Sequence, residues 1–176
     1  LKLMKMLRDP IKGCDWDKKQ TLESIIPHTI EEVYEVTEQI KNKNFIKLKE
    51  ELGDLLFQVV YMSQIALEKR KFNFSDVTES IIKKMKERHP HVFKNHKFKN
   101  HSEFKKFWEN SKNNKDQGLL KSIPKTFPAM IKAYKIQKKV AFVGFDYKNK
   151  IQAIDKVIEE AKELKLEVIK NNKKNI

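Results

Sequence analysis

Apolar residues recur every three or four positions along most of this chain, and this period predicts α-helices rather than β-strands. The first strong helix is expected over residues 28–41, with Pro27 in its first turn. Its apolar stripe consists of Ile30, Val33, Tyr34, Val36 and Ile40. The next helix is expected over residues 45–69. Its stripe consists of Leu48, Leu52, Leu55, Leu56, Val59, Val60 and Met62. So continuous a stripe is typical of the centre of a helical bundle.

Capping and breaking residues predict where the other elements begin and end. Residues 7–17 are expected to be a loop, and Thr21 is expected to cap a short helix that ends at Pro27. Ser75 is expected to cap a helix that stops at Arg88, before His89-Pro90.

Three further helices follow in the second half. The first is expected to start at Ser102 and to include Phe104, Phe107 and Trp108. The others are expected over residues 128–143 and 151–170, with Gly144 just past the end of the former and a polar tail from Asn171. Only 4 Gly and 5 Pro occur among 176 residues, which favours long helices. The predicted fold class is all-α: a four-helix-bundle-type domain over 1–112, a linker over 113–127 and a partial second helical module over 128–176.

A weak internal repeat supports the second module. G-C-D-W-D at Gly13 is echoed by G-F-D-Y at Gly144, and each is followed by an E-E-x-x-E segment. The second copy has no partner E-x-x-D after it, because the chain ends. We therefore expect the second module to be incomplete.

Two pairs of acidic residues carry the clearest chemical signal. Glu32 and Glu35 stand three apart on one predicted helix, and Glu51 and Asp54 stand three apart on the next. Residues at i and i+3 share a helix face, so each pair directs two carboxylates the same way. Together they would repel one another unless cations bind between them. Hard oxygen ligands suit Mg²⁺, with Mn²⁺ possible, and such ions serve phosphate chemistry. The alternative is a solvated acidic face.

Basic and aromatic residues supply candidates for binding a phosphorylated ligand. Lys84 and Arg88 lie four apart on one helix and can reach one ligand together. Lys47 precedes Glu51 by one turn and either contacts phosphate or forms an ordinary surface ion pair. Trp16 either stacks on a nucleobase or anchors its loop in the core.

Gly53 lies inside the most apolar helix, where glycine costs about 1 kcal/mol relative to alanine. Close approach of another backbone or of a ligand would explain its presence there.

Composition narrows the class of protein. Lys and Arg exceed Asp and Glu by 38 to 24, a formal net charge of +14. This charge admits a polyanion-binding role, but no motif of interleaved aromatic and basic residues accompanies it, so nucleic-acid binding is disfavoured. One cysteine, Cys14, excludes an internal disulfide, and the spacing of the clustered histidines matches no zinc-ligand pattern. With no membrane-spanning run and no signal-peptide pattern, a cytoplasmic location is expected.

Several segments together resemble the MazG nucleoside triphosphate pyrophosphohydrolases. They are L-R-D-P-x-x-G-C-x-W-D, E-E-V-Y-E-V, E-E-L-G-D-L-L-F-Q-V-V and R-H-P-H-V-F. Further on, K-I-Q-K-K-V-A-F-V-G-F-D resembles the opening of that family's second tandem domain. The resemblance implies an all-α protein that forms a homodimer and cleaves nucleoside triphosphates, with Mg²⁺, to the monophosphate and pyrophosphate.

Site residues follow from the resemblance by motif position. It implies that Glu32, Glu35, Glu51 and Asp54 hold the metal. It implies phosphate contacts for Lys47, Lys84 and Arg88. Glu31 or Glu35 would then orient the attacking water or accept its proton, and Trp16 is retained as a substrate-binding candidate.

Two departures and one alternative accompany the resemblance. Asp15 stands where the family usually has proline, and Glu160 and Glu163 lack the following E-x-x-D that would complete a second site. The alternative function is a nucleotide-binding or scaffold module, with weak or no turnover, that mediates oligomerisation or regulation.

Overall fold

The computed structural model describes residues 1–112, 118–147 and 149–170, and within them every regular element is a helix. The helices are α1 (Lys2–Leu7), α2 (Asp15–Lys19), α3 (Ile26–Asn42), α4 (Phe45–Glu68), α5 (Phe74–Arg88), α6 (Pro90–Phe93), α7 (His101–Lys112), α8 (Ala129–Phe142) and α9 (Lys150–Ile169). The all-α prediction is therefore confirmed. None of the helices in these ranges is long and apolar enough to cross a membrane.

The chain divides into two compact units, Leu1–Lys97 and Phe98–Ile176. Unit 1 contains α1 to α6, and α4 packs against α1, α3 and α5. Unit 2 contains α7 to α9. The bounds of the first domain (1–112), the linker (113–127) and the second module (128–176) stay predictions. Part of the expected linker, 113–117, lies outside the described residues, as does the expected tail from residue 171.

The segment between α1 and α2 is a tight turn built by two residues. The carboxylate of Asp9 accepts hydrogen bonds from the backbone N–H groups of Ile11 and Lys12, at 2.9 and 2.8 Å. A Cβ at Gly13 would collide with the backbone oxygens of Leu7 and Asp9. Only glycine fits there, which gives the motif glycine a physical reason.

Arg8 holds this turn against α4. Its Nε and Nη2 donate to the Glu68 carboxylate at 2.7–3.1 Å, while Nη1 donates to the backbone oxygens of Asp17 and Gln20. The guanidinium also lies over the Tyr61 ring, 5.5 Å from its centroid. Three types of contact from one side chain therefore fix the turn onto the central helix.

The core of unit 1 is small and lies at the far end of α4 from its N-terminus. Met4, Ile25, Tyr61 and Ile65 form its fully buried cluster. The turn between α3 and α4 has Lys43 in the left-handed region, with φ 54°, and Asn44 caps α4 by accepting from the Lys47 N–H at 3.2 Å. This short connection makes α3 and α4 a helical hairpin.

The apolar stripe of α4 is only partly buried within the described residues. Leu52 and Leu56 are 49% and 54% exposed, and on α3 Tyr34 is 70% exposed. Gly53 is exposed too, and a Cβ there would meet nothing within 4 Å. The expected close approach of another backbone to Gly53 is therefore not seen within the described residues.

Three local expectations also differ from the structure. The expected loop 7–17 already contains the start of α2 at Asp15. No helix forms after Thr21, since Thr21 and Ser24 exchange side-chain-to-backbone hydrogen bonds and shape a turn instead. Asn73 rather than Ser75 caps α5, in a capping box with Asp76. Beyond His89-Pro90 the chain forms the short helix α6.

Unit 2 follows the expected helices to within a few residues. In α7, the ring centroids of Phe104 and Phe107 each lie 5.3 Å from that of Phe98. The apolar face of this helix therefore packs on the segment that precedes its N-terminus. The chain leaves α8 through Gly144, whose φ of +89° is the left-handed conformation expected after a helix end. Asn149 caps α9 by accepting from the Gln152 N–H.

Candidate metal centre

Helices α3 and α4 pack against each other, and acidic residues from both helices lie close together. One carboxylate oxygen from each of Glu32, Glu35 and Glu51 lies within 4.8 Å of the other two. Glu32 and Glu35 are neighbours on α3 because of their i, i+3 spacing, and packing of the hairpin adds Glu51 from α4. Oxygens at such mutual distances can bind one cation together. We name this group the carboxylate trio.

The electrostatics of the trio disfavour three negative charges. Partial burial raises the pKa of Glu32, and the charges of Asp54 and Glu35 raise it further. Loss of solvent likewise raises the pKa of Glu51, with Glu35 and Asp54 as the nearest charges adding to the effect. Both carboxylates therefore bind protons more readily than free glutamate, and a divalent cation would relieve the same repulsion.

Asp54, the fourth predicted ligand, stands slightly apart. It does not belong to the group of oxygens within 4.8 Å, and its side chain is exposed. Its charge nevertheless acts on both Glu32 and Glu51, so it borders the trio. It is placed to complete a cation's oxygen ligands, directly or through water.

Gln58 borders the trio and is not among the predicted site residues. Its Nε2 donates to Oε1 of Glu32 at 3.3 Å, and the residue is only 7% exposed. Its own Oε1 is buried and has no hydrogen-bond partner in the described structure. The helical spacing contained a signal, because Gln58 follows Asp54 by four positions and Glu51 by seven.

Of the three predicted phosphate contacts, Lys47 lies beside the trio. Its charge lowers the pKa of Glu51 and so opposes the effect of the neighbouring acids. Lys84 and Arg88 lie one turn apart on α5, which packs on α4.

The surroundings of Lys84 differ from those of Lys47. Lys84 lines a surface groove that contains none of the predicted carboxylate ligands among its described lining residues. The groove is formed by Phe72, Asp76, Val77, Ser80, Ile81 and Lys84. Within this chain, then, Lys47 is close enough to Glu51 to lower its pKa, and Lys84 lines the groove beside α5.

Trp16 lies near the start of α3 and is 52% exposed, so it does not anchor its loop in the core. Its ring meets that of His28 edge to face, with centroids 5.8 Å apart. His28 Nδ1 in turn lies 3.9 Å from a carboxylate oxygen of Glu31. The neighbouring Asp17 is the buried residue of α2. An exposed aromatic ring therefore lies beside the N-terminus of α3, one helical turn before Glu32.

The acidic segment of unit 2 does not form a comparable group. Lys156 binds Glu159 and Glu160 at 2.7 and 3.1 Å within the same helix, which raises the pKa of its ammonium group. No other cluster of three potential metal ligands occurs in residues 98–112, 118–147 and 149–170. Glu160 is thus already paired with a cation from its own helix.

The fold and the trio together define an all-α protein with a candidate divalent-cation site on a helical hairpin. Residues 20–93, which span that hairpin, match the family model of the MazG nucleotide pyrophosphohydrolase domain. The predicted similarity to the MazG family is thus confirmed for residues 20–93.

Two curated relatives extend the similarity beyond the matched domain. The chain is 44% identical over 172 residues to the nucleoside triphosphate pyrophosphohydrolase of Escherichia coli K12, covering 95% of this chain and 65% of that protein. It is 41% identical over 163 residues to the nucleoside triphosphate pyrophosphohydrolase/pyrophosphatase MazG of Thermotoga maritima, covering 93% of this chain and 64% of that protein. The chain therefore spans about two thirds of these relatives.

A solved structure supports the fold. The crystal structure of a mazG-related protein from Thermotoga maritima aligns with a TM-score of 0.52 at 23% identity, covering 63% of this chain and 96% of that one.

Proposed function

We propose that this chain hydrolyses nucleoside triphosphates to nucleoside monophosphate and pyrophosphate in a reaction that requires Mg²⁺, which Mn²⁺ can replace. The observation that carries the proposal is the carboxylate trio, in which α3 and α4 gather three acidic oxygens within 4.8 Å. Pyrophosphohydrolase relatives of high identity support the same chemistry. The donor set fits the ion, because Mg²⁺ prefers carboxylate oxygens and retains several waters.

Glu32, Glu35 and Glu51 would hold the ion, with Asp54 at its edge. A bound Mg²⁺ neutralises phosphate oxygens and makes a water easier to deprotonate. Glu31 lies one helical turn before Glu35, outside the trio, with its carboxylate 3.9 Å from Nδ1 of His28. Its carboxylate would orient the attacking water at the α-phosphorus and accept its proton. Glu35, the other candidate for this role, is closer to the ion.

Cationic and aromatic side chains would bind the rest of the substrate. Lys47 lies beside Glu51 and is placed to contact a phosphate oxygen near the ion. Lys84 and Arg88 would stabilise charge on the departing pyrophosphate if a second chain brings α5 to the site. Trp16, half-exposed beside His28, offers a stacking surface for the base.

The partner we propose is a second copy of this chain. The hairpin exposes apolar side chains next to the trio: Ile30, Val33, Tyr34, Leu52 and Leu56. Water contact with so many apolar groups is unfavourable, and a homodimer would cover them. The open space over Gly53 would then admit the backbone of the partner's helix.

Release of pyrophosphate from each nucleoside triphosphate, with Mg²⁺ and with chelator, tests the activity. Glu51→Gln should lower the Mg²⁺-dependent rate by about 100-fold or more, because the ion loses a ligand. Glu38→Gln is the matched control, since Glu38 is an exposed acid on α3 outside the trio. A protein that binds nucleotide but releases no pyrophosphate would instead support the scaffold alternative.

A further inference from the structure

The buried amide of Gln58 is the least expected polar group in the described structure. The residue is 7% exposed, yet its Oε1 accepts no hydrogen bond there. A buried carbonyl without a donor is costly, and few such groups persist in folded proteins. Its position next to Glu32 suggests a use for the missing partner.

The orientation of this amide follows from its neighbour. Nε2 donates to Oε1 of Glu32 at 3.3 Å. Reversal of the amide would place the Gln58 carbonyl against the Glu32 carboxylate, and two acceptors would face each other. An ionised Glu32 therefore fixes which atom of Gln58 remains unpaired, and that atom is an acceptor.

Helix geometry places the amide against the predicted cation ligands. Gln58 follows Asp54 by one turn and Glu51 by two turns on the same face of α4, and it reaches Glu32 across the hairpin. Tyr61, one turn further along α4, belongs to the fully buried core of unit 1. Gln58 thus lies between the trio and the core.

We propose that Gln58 is a positioning residue for cation binding, which fixes the Glu32 carboxylate with its amide N–H and accepts with Oε1 a hydrogen bond from a water molecule that enters with Mg²⁺. The inference rests on the proposed function, since it assumes a cation at the trio. A hydrated Mg²⁺ supplies the donor that the amide lacks, because this ion retains waters whose O–H groups point outward. Groups that orient metal ligands typically contribute about 10- to 100-fold in metal affinity.

The chain contains a matched control on the same helix. Gln64 also donates its Nε2 to a glutamate, to Oε1 of Glu68 at 3.1 Å, but that pair binds Arg8 and lies away from the trio. Methionine has nearly the length of glutamine and a good helix propensity, so Gln58→Met and Gln64→Met remove the same chemistry at two places.

Mn²⁺ binding, followed by electron paramagnetic resonance, provides a readout that does not depend on turnover. We expect Gln58→Met to weaken Mn²⁺ binding about 10- to 100-fold and Gln64→Met to change it less than twofold. Equal affinities for Gln58→Met and wild type would overturn the role of Gln58 and leave the proposed function standing. A wild-type protein that binds no Mn²⁺ would overturn both.

A measurement on the wild-type protein covers the case in which Gln58→Met does not fold. In NMR spectra recorded during a titration with Mg²⁺ alone, the side-chain amide signals of Gln58 should shift and those of Gln64 should stay in place. Amide resonances of Gln58 that stay unmoved in Mg²⁺, or that move only when nucleotide is added, would contradict the proposal.

Discussion

The hydroxyl of Tyr61 lies 2.9 Å from both the backbone oxygen and Oδ1 of Asp17, and so joins the C-terminal half of α4 to α2, 44 residues earlier in the chain. Asp17 is 8% exposed, and Arg8 lies over the same ring while donating to the backbone oxygen of Asp17. Helix α2 also contains Trp16. The L-R-D-P-x-x-G-C-x-W-D motif thus has a structural role, because it holds α2 against α4, the helix that contains Glu51.

Tyr61→Phe should therefore destabilise the fold. The change keeps the ring but leaves a buried carboxylate without its donor, which costs about 1–3 kcal/mol in the free energy of unfolding. Urea denaturation measures the loss. Tyr134→Phe serves as the control, since Tyr134 is 62% exposed and its change should stay within about 0.5 kcal/mol. Similar losses for the two variants would show that the contact with Asp17 contributes nothing.

Alkaline pH should remove the contribution of the same hydroxyl. Burial, with help from Asp17, raises the pKa of Tyr61 to about 12. An unfolded tyrosine titrates near 10. Between these values the unfolded chain has released the proton and the folded chain retains it, so the stabilisation is complete below about pH 10 and lost as pH rises towards about 12. The difference in unfolding free energy between wild type and Tyr61→Phe should shrink over this window. A constant difference up to pH 12 would argue against it.

At acid pH, protonation of Glu68 should remove the stability that its ion pair with Arg8 provides. Hydrogen bonds from Arg8 lower the pKa of Glu68, so the pair stabilises the fold above the pKa of an unfolded glutamate and fails as pH falls through the lowered value. At neutral pH, Glu68→Gln should cost about 1 kcal/mol, since the carboxylate is partly exposed and screened. Thermal unfolding of wild type and variant from pH 7 to pH 3 should show this difference vanish. Glu159→Gln, in an exposed pair within α9, is the control and should change little at any pH.

The helices could be predicted from the sequence because their signals are local. A 3.6-residue period, a C-terminal glycine and His89-Pro90 place α4, α8 and the end of α5 to within a few residues. The errors occur where side chains compete for backbone groups. Ser75 looks like a cap, but Asn73 lies two residues earlier and completes a capping box with Asp76.

The site was only partly predictable for a different reason. Acidic spacing places Glu32 and Glu35 on one face, but the distance to Glu51 depends on how the hairpin packs. The sequence does not identify Gln58, because an uncharged residue within an apolar stripe resembles a core residue. Its buried Oε1 without a hydrogen-bond partner distinguishes it only in the structure. How Lys84 would reach a phosphate depends on contacts outside the single chain.

Removal of charge from the trio should stabilise the metal-free protein. The pKa of Glu51 is raised, so above that pKa its ionisation opposes folding, and the penalty disappears as pH falls through the raised value. Glu51→Gln should therefore increase the thermal midpoint in chelator at neutral pH, with a smaller gain at pH 4. In Mg²⁺ the order should reverse, because wild type gains binding energy and the variant does not. A midpoint that Mg²⁺ leaves unchanged in wild type would count against a cation at the trio.

The last prediction uses Gly53 to test the proposed second copy. In the single chain nothing lies within 4 Å of a Cβ at this position, so Gly53→Ala should stabilise an isolated chain by about 0.5–1 kcal/mol through helix propensity alone. If a partner helix covers the neighbouring Leu52 and Leu56, the same methyl group separates the two backbones and weakens association. Sedimentation from nanomolar to micromolar concentration should then give a dimer of this 21.0 kDa chain for wild type and a dissociation constant at least several-fold higher for Gly53→Ala. Urea unfolding of the diluted, monomeric proteins isolates the propensity effect. A wild type that stays monomeric at micromolar concentration, or a variant that only gains stability, would mean that no second copy packs on this face.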